Sequence, residues 1–400
     1  MTRSRPDVAR VLLALAFARP SADELAGLTD ADWSHLDALA GQHRLRPWLA
    51  HRWGERAPAG IPAPVLGLWG EAKREAAFAA LGQRADLLEI ARLLGEADIA
   101  LVALKGPWLA WHAYPAAALR PMNDIDLLVG PDRALAAFAL LKAAGYAQTR
   151  PFERSPEETV ARDKHLPQLT SPLGTVIELH MRCWAGERPR PRDLFARARR
   201  MGGDDPLLYP AAPDMFAHLV IHAADSGRLD SGPLALVDLH MLLEREALDW
   251  PAVLGEARRE GWLRHAALML TLLDRWLRPG LLRESRCPLS VPAAVADTAE
   301  DLMLQDLAIC RQAQMLADLS AAAADGRLLR GLGRKLLGRS PHGSARPGEA
   351  RDFSGHGGYL PWLARRLRHG LPATFERRVR QQAAAYRAVA VWCDGAEAGR

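Results

Sequence analysis

Two carboxylates stand one residue apart in the segment LRPMNDIDLLVG, residues 119–130, which otherwise has the apolar character of a buried strand. Side chains alternate between the two faces of a strand, so Asp124 and Asp126 point the same way while Ile125 and Leu127 supply core-facing bulk. Two half-buried carboxylates so close together sharply raise the pKa of one of them unless a cation lies between them. The segment therefore predicts a cation site, and a divalent metal fits it.

A second strand carries the residues that would complete this site. In TVIELH, residues 175–180, which follows a hairpin turn at Ser171–Gly174, Glu178 and His180 share one face. If this strand lies next to the first, Glu178 completes a cluster of three carboxylates, the oxygen-rich ligand set that Mg²⁺ or Mn²⁺ prefers. Two such ions about 3.5–4 Å apart align a nucleophile with phosphorus and stabilise the leaving oxygen. The ligand set therefore favours phosphate chemistry over zinc hydrolysis.

A lysine–glycine turn supplies the expected phosphate contacts. The run IALVALKG ends a short strand at Lys105 and Gly106, and Pro107 follows where the first turn of a helix tolerates proline. Glycine at a helix start lets backbone amides approach phosphate oxygens, and a lysine beside it adds a point cation for a β- or γ-phosphate. Arg120, four residues before Asp124, is expected to clamp the same triphosphate or to support the metal-bearing strand.

The periodicity of the chain predicts an α+β fold, with a small mixed β-sheet core embedded between mainly helical lobes. Helical spacing runs through residues 1–95, strand and helix patterns alternate through 96–182, and helical spacing resumes over 183–325. Residues 326–400 are predicted to be basic carboxy-terminal helices, interrupted by a Gly/Ser/Arg/Pro-rich loop near 338–358.

Histidines and tryptophans near these motifs each have a chemical and a structural interpretation. His218 and His222 have the i, i+4 spacing of some zinc enzymes, but the H-E-x-x-H glutamate is missing, so half-buried structural histidines are favoured. His180 shares the face of the acidic residue in its strand and could hold an acceptor or orient a carboxylate, or be structural. Trp108 and Trp111 could stack on a base or acceptor, although core packing is favoured.

Four motifs occur along the chain in the order typical of one protein family. They are LVALKGPWLAWHAYP, LRPMNDIDLLV, a helix ending LLKAAGY, and TVIELHMRCW. This order resembles the bacterial nucleotidyltransferase-like family of the DNA polymerase β superfamily, whose pattern is KG, then R-x-x-x-D-x-D-L-L-V, then an acidic strand ending in Leu-His. The resemblance extends from a lead-in containing QHRLRPWL to ALDWPAVLGEARREGW, roughly residues 20–280.

The resemblance implies a Mg²⁺- or Mn²⁺-dependent nucleotidyltransferase, in which an acceptor attacks the α-phosphorus of a nucleoside triphosphate, expected to be ATP, and releases pyrophosphate. The acceptor would be a peptide, a small molecule or an RNA end; phosphoryl transfer by the same site and a catalytically silent nucleotide-binding scaffold stay open as alternatives. The residues it implies are the metal ligands Asp124, Asp126 and Glu178 and the nucleotide-phosphate contacts Lys105, Gly106 and Arg120. His180 is added to the nucleotide-binding residues because it shares the face of Glu178.

One departure from the wider superfamily concerns the turn. Many members carry a Gly-Ser pair where this chain has Lys105-Gly106, so the contact of a serine hydroxyl with phosphate is missing here. The lysine–glycine variant is nevertheless the one that the resembled family shows.

The charge distribution suggests a partner for the carboxy-terminal region. Residues 326–400 hold 15 Lys/Arg against 5 Asp/Glu, although the whole chain has a net charge of only +5. An anionic partner, with RNA as one case, would explain this asymmetry, and a solvated basic helix face would explain it equally well.

Cysteine use and hydropathy set the expected compartment. Cys183, Cys287, Cys310 and Cys393 are scattered, with no zinc-binding spacing, and are predicted to be reduced thiols. No segment approaches the roughly 20 apolar residues that span a bilayer. The start, MTRSRPDVARVLLALAFA, favours an ordinary amphipathic helix over a secretory signal because its apolar run is short. A cytoplasmic protein without membrane contact is therefore expected.

Overall fold

The computed structural model describes six stretches of the chain. They are residues 7–54, 57–183, 194–203, 205–226, 228–324 and 376–395. The chain divides into two compact units, the first comprising Met1–Gly227 with Ser231–Val291 and the second Arg228–Asp230 with Pro292–Arg400. The loop predicted near 338–358 lies outside the described residues, and the four-part domain division stays a prediction.

Among the described residues five helices precede the sheet, in the region where the sequence predicted helical structure. They are α1 Val8–Phe17, α2 Ala22–Ala26, α3 Asp30–Gln42, α4 Arg46–Trp53 and α5 Ala63–Glu96. Ser21 and Thr29 each form a capping box with an acidic residue three positions on, which satisfies backbone donors at the starts of α2 and α3. Leu12 and Leu15 of α1 are fully buried, so the first apolar run belongs to the core of this unit.

A five-stranded mixed sheet follows, which confirms the predicted α+β fold. Its strands are β1 Leu101–Ala103, β2 Ile125–Val129, β3 Ala147–Gln148, β4 Leu169–Thr170 and β5 Val176–His180. The order across the sheet is β1-β2-β5-β4-β3, and β2 and β5 are parallel whereas the other pairs are antiparallel. Asp126 lies opposite Glu178, and Leu128 lies opposite His180. The two strands that carry the predicted ligands are therefore neighbours.

The connections between strands explain this pairing. A short helix, α6 Gly106–Trp108, follows β1 and continues as a π-helical turn over Leu109–Ala113. Helices α7 Ala134–Ala143 and α8 Pro156–Arg162 lie between β2 and β5, since parallel strands need a long crossover. Gly145, with a φ of 95°, follows the end of α7 in the left-handed conformation that glycine adopts readily.

The predicted hairpin turn at Ser171–Gly174 is confirmed. The backbone N–H of Gly174 donates to the carbonyl oxygen of Ser171 at 2.9 Å, and Gly174 has a φ of 90°. The Ser171 hydroxyl donates to the buried carboxylate of Asp86 on α5 at 2.7 Å and accepts from the N–H groups of Leu173 and Thr175. This hydroxyl therefore links the β4–β5 hairpin to the long helix.

Replacing Ser171 with alanine is expected to destabilise the protein by about 2 kcal/mol. The change leaves a buried carboxylate and two turn N–H groups without the hydroxyl that they share. Urea denaturation would measure the loss, with Ser34→Ala as the control because the Ser34 hydroxyl is exposed and bonds only within its own helix. Equal stability of the two variants would contradict this role of Ser171.

Helices resume after the sheet. They are α9 Leu194–Arg197, α10 Ala212–Ile221, α11 Leu234–Arg245, α12 Trp250–Glu260, α13 Leu263–Trp276 and α14 Leu281–Ser285. A π-helical turn, His222–Ser226, extends α10, and Asp249 caps α12 by accepting the N–H of Ala252 at 3.2 Å. Across the described stretches, no helix is long and apolar enough to cross a membrane.

The second unit contains three described helices, α15 Ala293–Met303, α16 Cys310–Ala324 and α17 Arg377–Asp394. The Tyr386 hydroxyl of α17 lies 3.3 Å from Sγ of Cys310 and hydrogen-bonds the Gln305 side chain. Arg228 lies over the Tyr386 ring, 5.7 Å from its centroid. All four cysteines are thiols, as predicted.

Candidate active site

Strand β2 presents one face to the core and the other to the site. Ile125, Leu127 and Val129 are completely buried, which anchors the strand. Asp126 points to the opposite face and is only 7% exposed. Asp124, which precedes the first paired residue of the strand, is half-buried. The alternation deduced from the sequence is therefore observed.

Lys105 forms an ion pair with the more buried aspartate. Its Nζ lies 2.6 Å from Oδ2 of Asp126, and the backbone N–H of Leu104 donates to the Asp126 carbonyl oxygen at 2.9 Å. Lys105 has φ 43° and ψ −96°, a conformation that costs an L residue about 1–3 kcal/mol. Such strain is typical of functional positions, and here it occurs at the turn that the sequence assigned to phosphate binding.

Strand β5 adds a carboxylate and an imidazole. Nε2 of His180 lies 2.8 Å from Oδ1 of Asp126 and 3.1 Å from Oε2 of Glu178. The Gln168 side chain donates to Oε1 of Glu178 at 2.6 Å, and Nε2 of His165 lies 3.7 Å from its Oε2. His180 is 0% exposed, so its ring fixes both carboxylates from inside the protein.

These contacts define a group that could hold a metal ion. One ligand atom each of Asp126, Glu178 and His180 lies within 4.8 Å of the other two. Among the described residues, these three form the group whose ligand atoms are close enough to share a metal ion. The predicted set was Asp124, Asp126 and Glu178, so the structure brings two of its three members together and adds His180. Asp124 lies outside the group, because the pairing of β2 with β5 begins one residue later, at Ile125. Its role as a ligand stays a prediction.

The pKa shifts show how charge is balanced in this group. Burial alone would raise the pKa of Asp126, but Lys105 and His180 hold it well below its usual range. Burial opposes ionisation of Glu178 too, yet hydrogen bonds from His180 and Gln168, together with His165, lower its pKa to about 2. Burial likewise opposes the protonation of His180, but both carboxylates raise its pKa.

Asp124 is the exception. Burial, then Asp126 and Glu178, raise the pKa of Asp124, and Lys105 and Arg120 offset only part of this effect. At Asp124, burial and the two other carboxylates therefore outweigh the effect of the neighbouring cations. A hard divalent cation such as Mg²⁺ or Mn²⁺ suits the carboxylate oxygens of this group.

The depressed pKa of Glu178 predicts an acid-dependent loss of stability. Its pKa is about 2 in the fold against 4.5 ordinarily, so its contribution is present above 4.5 and is lost as the pH falls toward 2. Between about pH 7 and about pH 3 this loss is about 2 kcal/mol. Over this interval the free energy of unfolding of Glu178→Gln should therefore fall by about 2 kcal/mol less than that of the wild type. Urea titrations at both pH values measure the difference. Glu157→Gln, an exposed change on α8, should keep the wild-type dependence.

Arg120 pairs with a carboxylate that the sequence analysis did not consider, and its predicted role toward a triphosphate or the metal-bearing strand stays a prediction. Its Nη2 and Nε donate to the Asp238 carboxylate on α11 at 2.8 and 3.2 Å, and the Tyr114 hydroxyl donates to the same carboxylate at 2.7 Å. The guanidinium nevertheless borders the lysine–glycine turn. A Cβ added to Gly106 would lie 3.3 Å from Nη1 of Arg120 and 2.6 Å from Sδ of Met122. Glycine therefore permits a close approach between the turn and the arginine.

Most of the chain matches one protein family. Residues 29–278 match the family described as "Uncharacterised nucleotidyltransferase", which covers well over half of the chain. The chain belongs to this nucleotidyltransferase family. No curated protein and no solved structure matches it. The match includes every residue of the candidate site and confirms the resemblance to nucleotidyltransferases, while the wider superfamily and the detailed motif pattern stay predictions.

Two residues at the nucleotidyltransferase-family site had no role in the sequence analysis. Gln168 orients Glu178, as described above. Burial and the neighbouring Lys105 lower the pKa of Lys164, while Asp126 and Glu178 oppose the shift, so this lysine borders the carboxylates. Both residues stand in KHLPQL, the segment that leads into β4 and in which His165 forms an isolated antiparallel bridge with His180. That position was the available signal.

His218 and His222 also border the site without belonging to the metal-ligand group. Burial lowers the pKa of His218, and Lys105 is the main cause of the lowered pKa of His222. Among the described residues, neither histidine is a member of a group suited to a metal ion. His218 on α10 and His222 in the π-helical turn that extends it are therefore both influenced by the charge of Lys105, which their i, i+4 spacing could not reveal.

The tryptophans after the lysine–glycine turn are packing residues in this family member, as favoured from the sequence. Trp108 is buried and its indole N–H contacts Sδ of Met201 at 3.2 Å. Trp111 lies under the Arg84 guanidinium, which is 5.5 Å from its ring centroid. Arg84 also pairs with Asp205, so the contacts of Trp111 belong to a structural cluster.

Proposed function

We propose that this protein is a divalent-metal-dependent nucleotidyltransferase that moves a nucleoside monophosphate from a nucleoside triphosphate, with ATP as the first candidate, to an acceptor. The observation that carries this proposal is the convergence of Lys105, Asp126, Glu178 and His180 at one end of the β2–β5 pair. All four lie within the segment that matches the nucleotidyltransferase family. A strained lysine turn beside clustered carboxylates is suited to a metal-bound triphosphate.

The residues that would hold Mg²⁺ or Mn²⁺ are Asp126, Glu178 and, as a prediction, Asp124. The metal would polarise the phosphate and help to align the attacking oxygen with phosphorus. His180 fixes the orientation of two of these carboxylates through Nε2, so they need little rearrangement to bind a cation. Gln168 holds the remaining oxygen of Glu178.

Lys105 would have a second position during the reaction. Its Nζ neutralises Asp126 in this structure, at 2.6 Å, and a cation at the carboxylates would displace it. The ammonium group would then serve the non-transferred phosphates, with Arg120 beside Gly106. Lys164 adds positive charge on the hairpin side of the site.

The experiment that tests the proposal separates binding from transfer. Calorimetric titration with a non-hydrolysable ATP analogue should show binding that requires Mg²⁺ or Mn²⁺ and is lost with EDTA. Incubation with α-labelled and γ-labelled triphosphates, with protein, RNA and small-molecule fractions as acceptors, should then transfer the α-label and release pyrophosphate. Transfer of the γ-label alone would replace nucleotidyl with phosphoryl transfer. Binding without any transfer would favour a silent scaffold, and absence of metal-dependent binding would overturn the proposal.

RNA is the first macromolecular acceptor to test, because residues 326–400 carry a net charge of +10. Cations that neutralise RNA phosphates release counterions, so the affinity should fall steeply as salt rises. RNA binding that does not weaken from low to high salt would count against an anionic partner for this region. The part of this region that the structure describes is 376–395.

A further inference from the structure

Asp238 connects the helices that follow the sheet to the candidate site. It is located on α11 and is only 4% exposed, and its two carboxylate oxygens accept three hydrogen bonds. Two come from the fork formed by Nε and Nη2 of Arg120, and the third comes from the Tyr114 hydroxyl at 2.7 Å. A fork of this kind fixes both the position and the plane of a guanidinium. Asp238 therefore sets where the Arg120 side chain lies.

The part of Arg120 that Asp238 does not occupy points to the lysine–glycine turn. Nη1 lies 3.3 Å from the position that a Cβ on Gly106 would take. Among the described residues its hydrogen bond is a long one, 3.5 Å, to the carbonyl oxygen of Pro121. Asp124 also interacts favourably with the charge of Arg120. The guanidinium thus stands between Asp238 on one side and the turn with the metal-bearing strand on the other.

We infer that Asp238 is a positioning residue that holds Arg120 with its Nη1 edge toward the phosphates of a bound triphosphate. Tyr114 supports this role by holding the Asp238 carboxylate in place. The inference rests on the proposed function and extends it, because it gives a helix outside the sheet a share in triphosphate binding. The buried charge of Asp238 thereby has a role in binding as well as in stability. This role is indirect, because Asp238 acts through Arg120 and touches no substrate.

A second carboxylate, that of Asp37, binds a guanidinium in the same way and provides a structural control. Asp37 on α3 accepts Nε and Nη2 of Arg46 at 2.9 and 2.6 Å and the indole N–H of Trp69 at 3.1 Å. This carboxylate therefore has the same number and kind of bonds as Asp238, a guanidinium fork plus one aromatic side chain. It lies among the amino-terminal helices, whereas Asp238 faces Arg120 beside Gly106.

The test compares Asp238→Asn with Asp37→Asn, using inorganic triphosphate as the probe in the presence of Mg²⁺. Both variants should lose thermal stability, because each weakens a buried, charge-assisted bond. Only Asp238→Asn should bind triphosphate less well, by roughly tenfold, since one charge-assisted hydrogen bond to phosphate is misaligned. Isothermal titration calorimetry measures the affinity, and it needs no acceptor.

A double-variant cycle identifies the route of the effect. In an Arg120→Gln background, Asp238→Asn should cause no further loss of triphosphate affinity, because the arginine through which it acts is already absent. Additive losses in the double variant would overturn the inference. So would an Asp238→Asn protein that binds triphosphate as tightly as the wild type.

Tyr114→Phe keeps the inference testable if Asp238→Asn does not fold. It removes one of the three bonds to Asp238 while leaving the fork intact, so roughly threefold weaker triphosphate binding is expected, again only when Arg120 is present. Unchanged affinity in this variant would overturn the inference. A wild-type protein that does not bind triphosphate with Mg²⁺ would instead overturn the proposed function, which separates the two failures.

Discussion

Asp126→Asn is expected to reduce nucleotidyl transfer by at least about 10³-fold, the largest effect of any single change in the site. The substitution keeps the size of the side chain and removes the charge that Lys105 and His180 both contact. Without that charge the remaining carboxylates attract a divalent ion less strongly, and Lys105 loses its buried counter-ion. Transfer of α-label from ATP to the acceptor fraction, at saturating Mg²⁺, measures the loss.

A matched control lies beyond the end of the same strand. Asp132 follows β2 and is exposed, so Asp132→Asn should keep the wild-type rate. Circular dichroism and a melting curve would establish that both variants are folded. If Asp126→Asn retained a rate within tenfold of the wild type while folded, the carboxylate would not be part of the catalytic site, and the proposed function would lose its principal support.

Much of the sheet and of the site is accessible from sequence because its signals are local. Alternation in NDIDLLV predicts that Asp126 lies on the face of the strand opposite to Ile125 and Leu127. The structure shows this arrangement, with Ile125 and Leu127 completely buried in the core. The SPLG turn brings the strand of Glu178 into a hairpin, and the hydrophobic pattern fixes its register. The predicted carboxylate cluster required the strand of Glu178 to lie next to the strand of Asp126, and the parallel pairing of β2 with β5 meets this condition.

Other features depend on contacts between distant parts of the chain, where sequence patterns give no register. Arg120 and Asp238 are separated by 118 positions, and nothing in the helical spacing of α11 indicates that its aspartate contacts Arg120. The same holds for His222, whose lowered pKa has Lys105 as its main cause. Helix amphipathicity predicts that a face is buried, but it does not say against which element.

Asp124 shows a finer limit of sequence reasoning. Strand alternation predicts the same direction for Asp124 and Asp126, but regular pairing with β5 starts only at Ile125. The position of a side chain one residue outside the ladder depends on the local backbone, which period-two reasoning does not describe. His180 takes the third place in the group instead, because it continues the face of Glu178 toward the interior.

Lys105→Met is expected to produce two effects of opposite sign. Transfer from ATP should fall by at least about 10²-fold, because the triphosphate loses a buried cation at the strained turn. Binding of Mn²⁺ alone should become tighter, by roughly tenfold, because the ammonium group no longer competes for Asp126. Methionine is unbranched and similar in length, so it retains most of the packing of the lysine stem. Electron paramagnetic resonance of free Mn²⁺ measures the binding, and label transfer measures the rate.

The opposite signs distinguish the proposed role of Lys105 from simple stabilisation of the fold. A lysine that only neutralised Asp126 would, when removed, strengthen metal binding and leave triphosphate use intact once the metal is bound. A lysine that only bound phosphate would leave the affinity for bare Mn²⁺ unchanged. Because Nζ lies 2.6 Å from the Asp126 carboxylate at the turn beside Gly106, both effects are expected together. Lys142→Met, an exposed change on α7, should alter neither measurement.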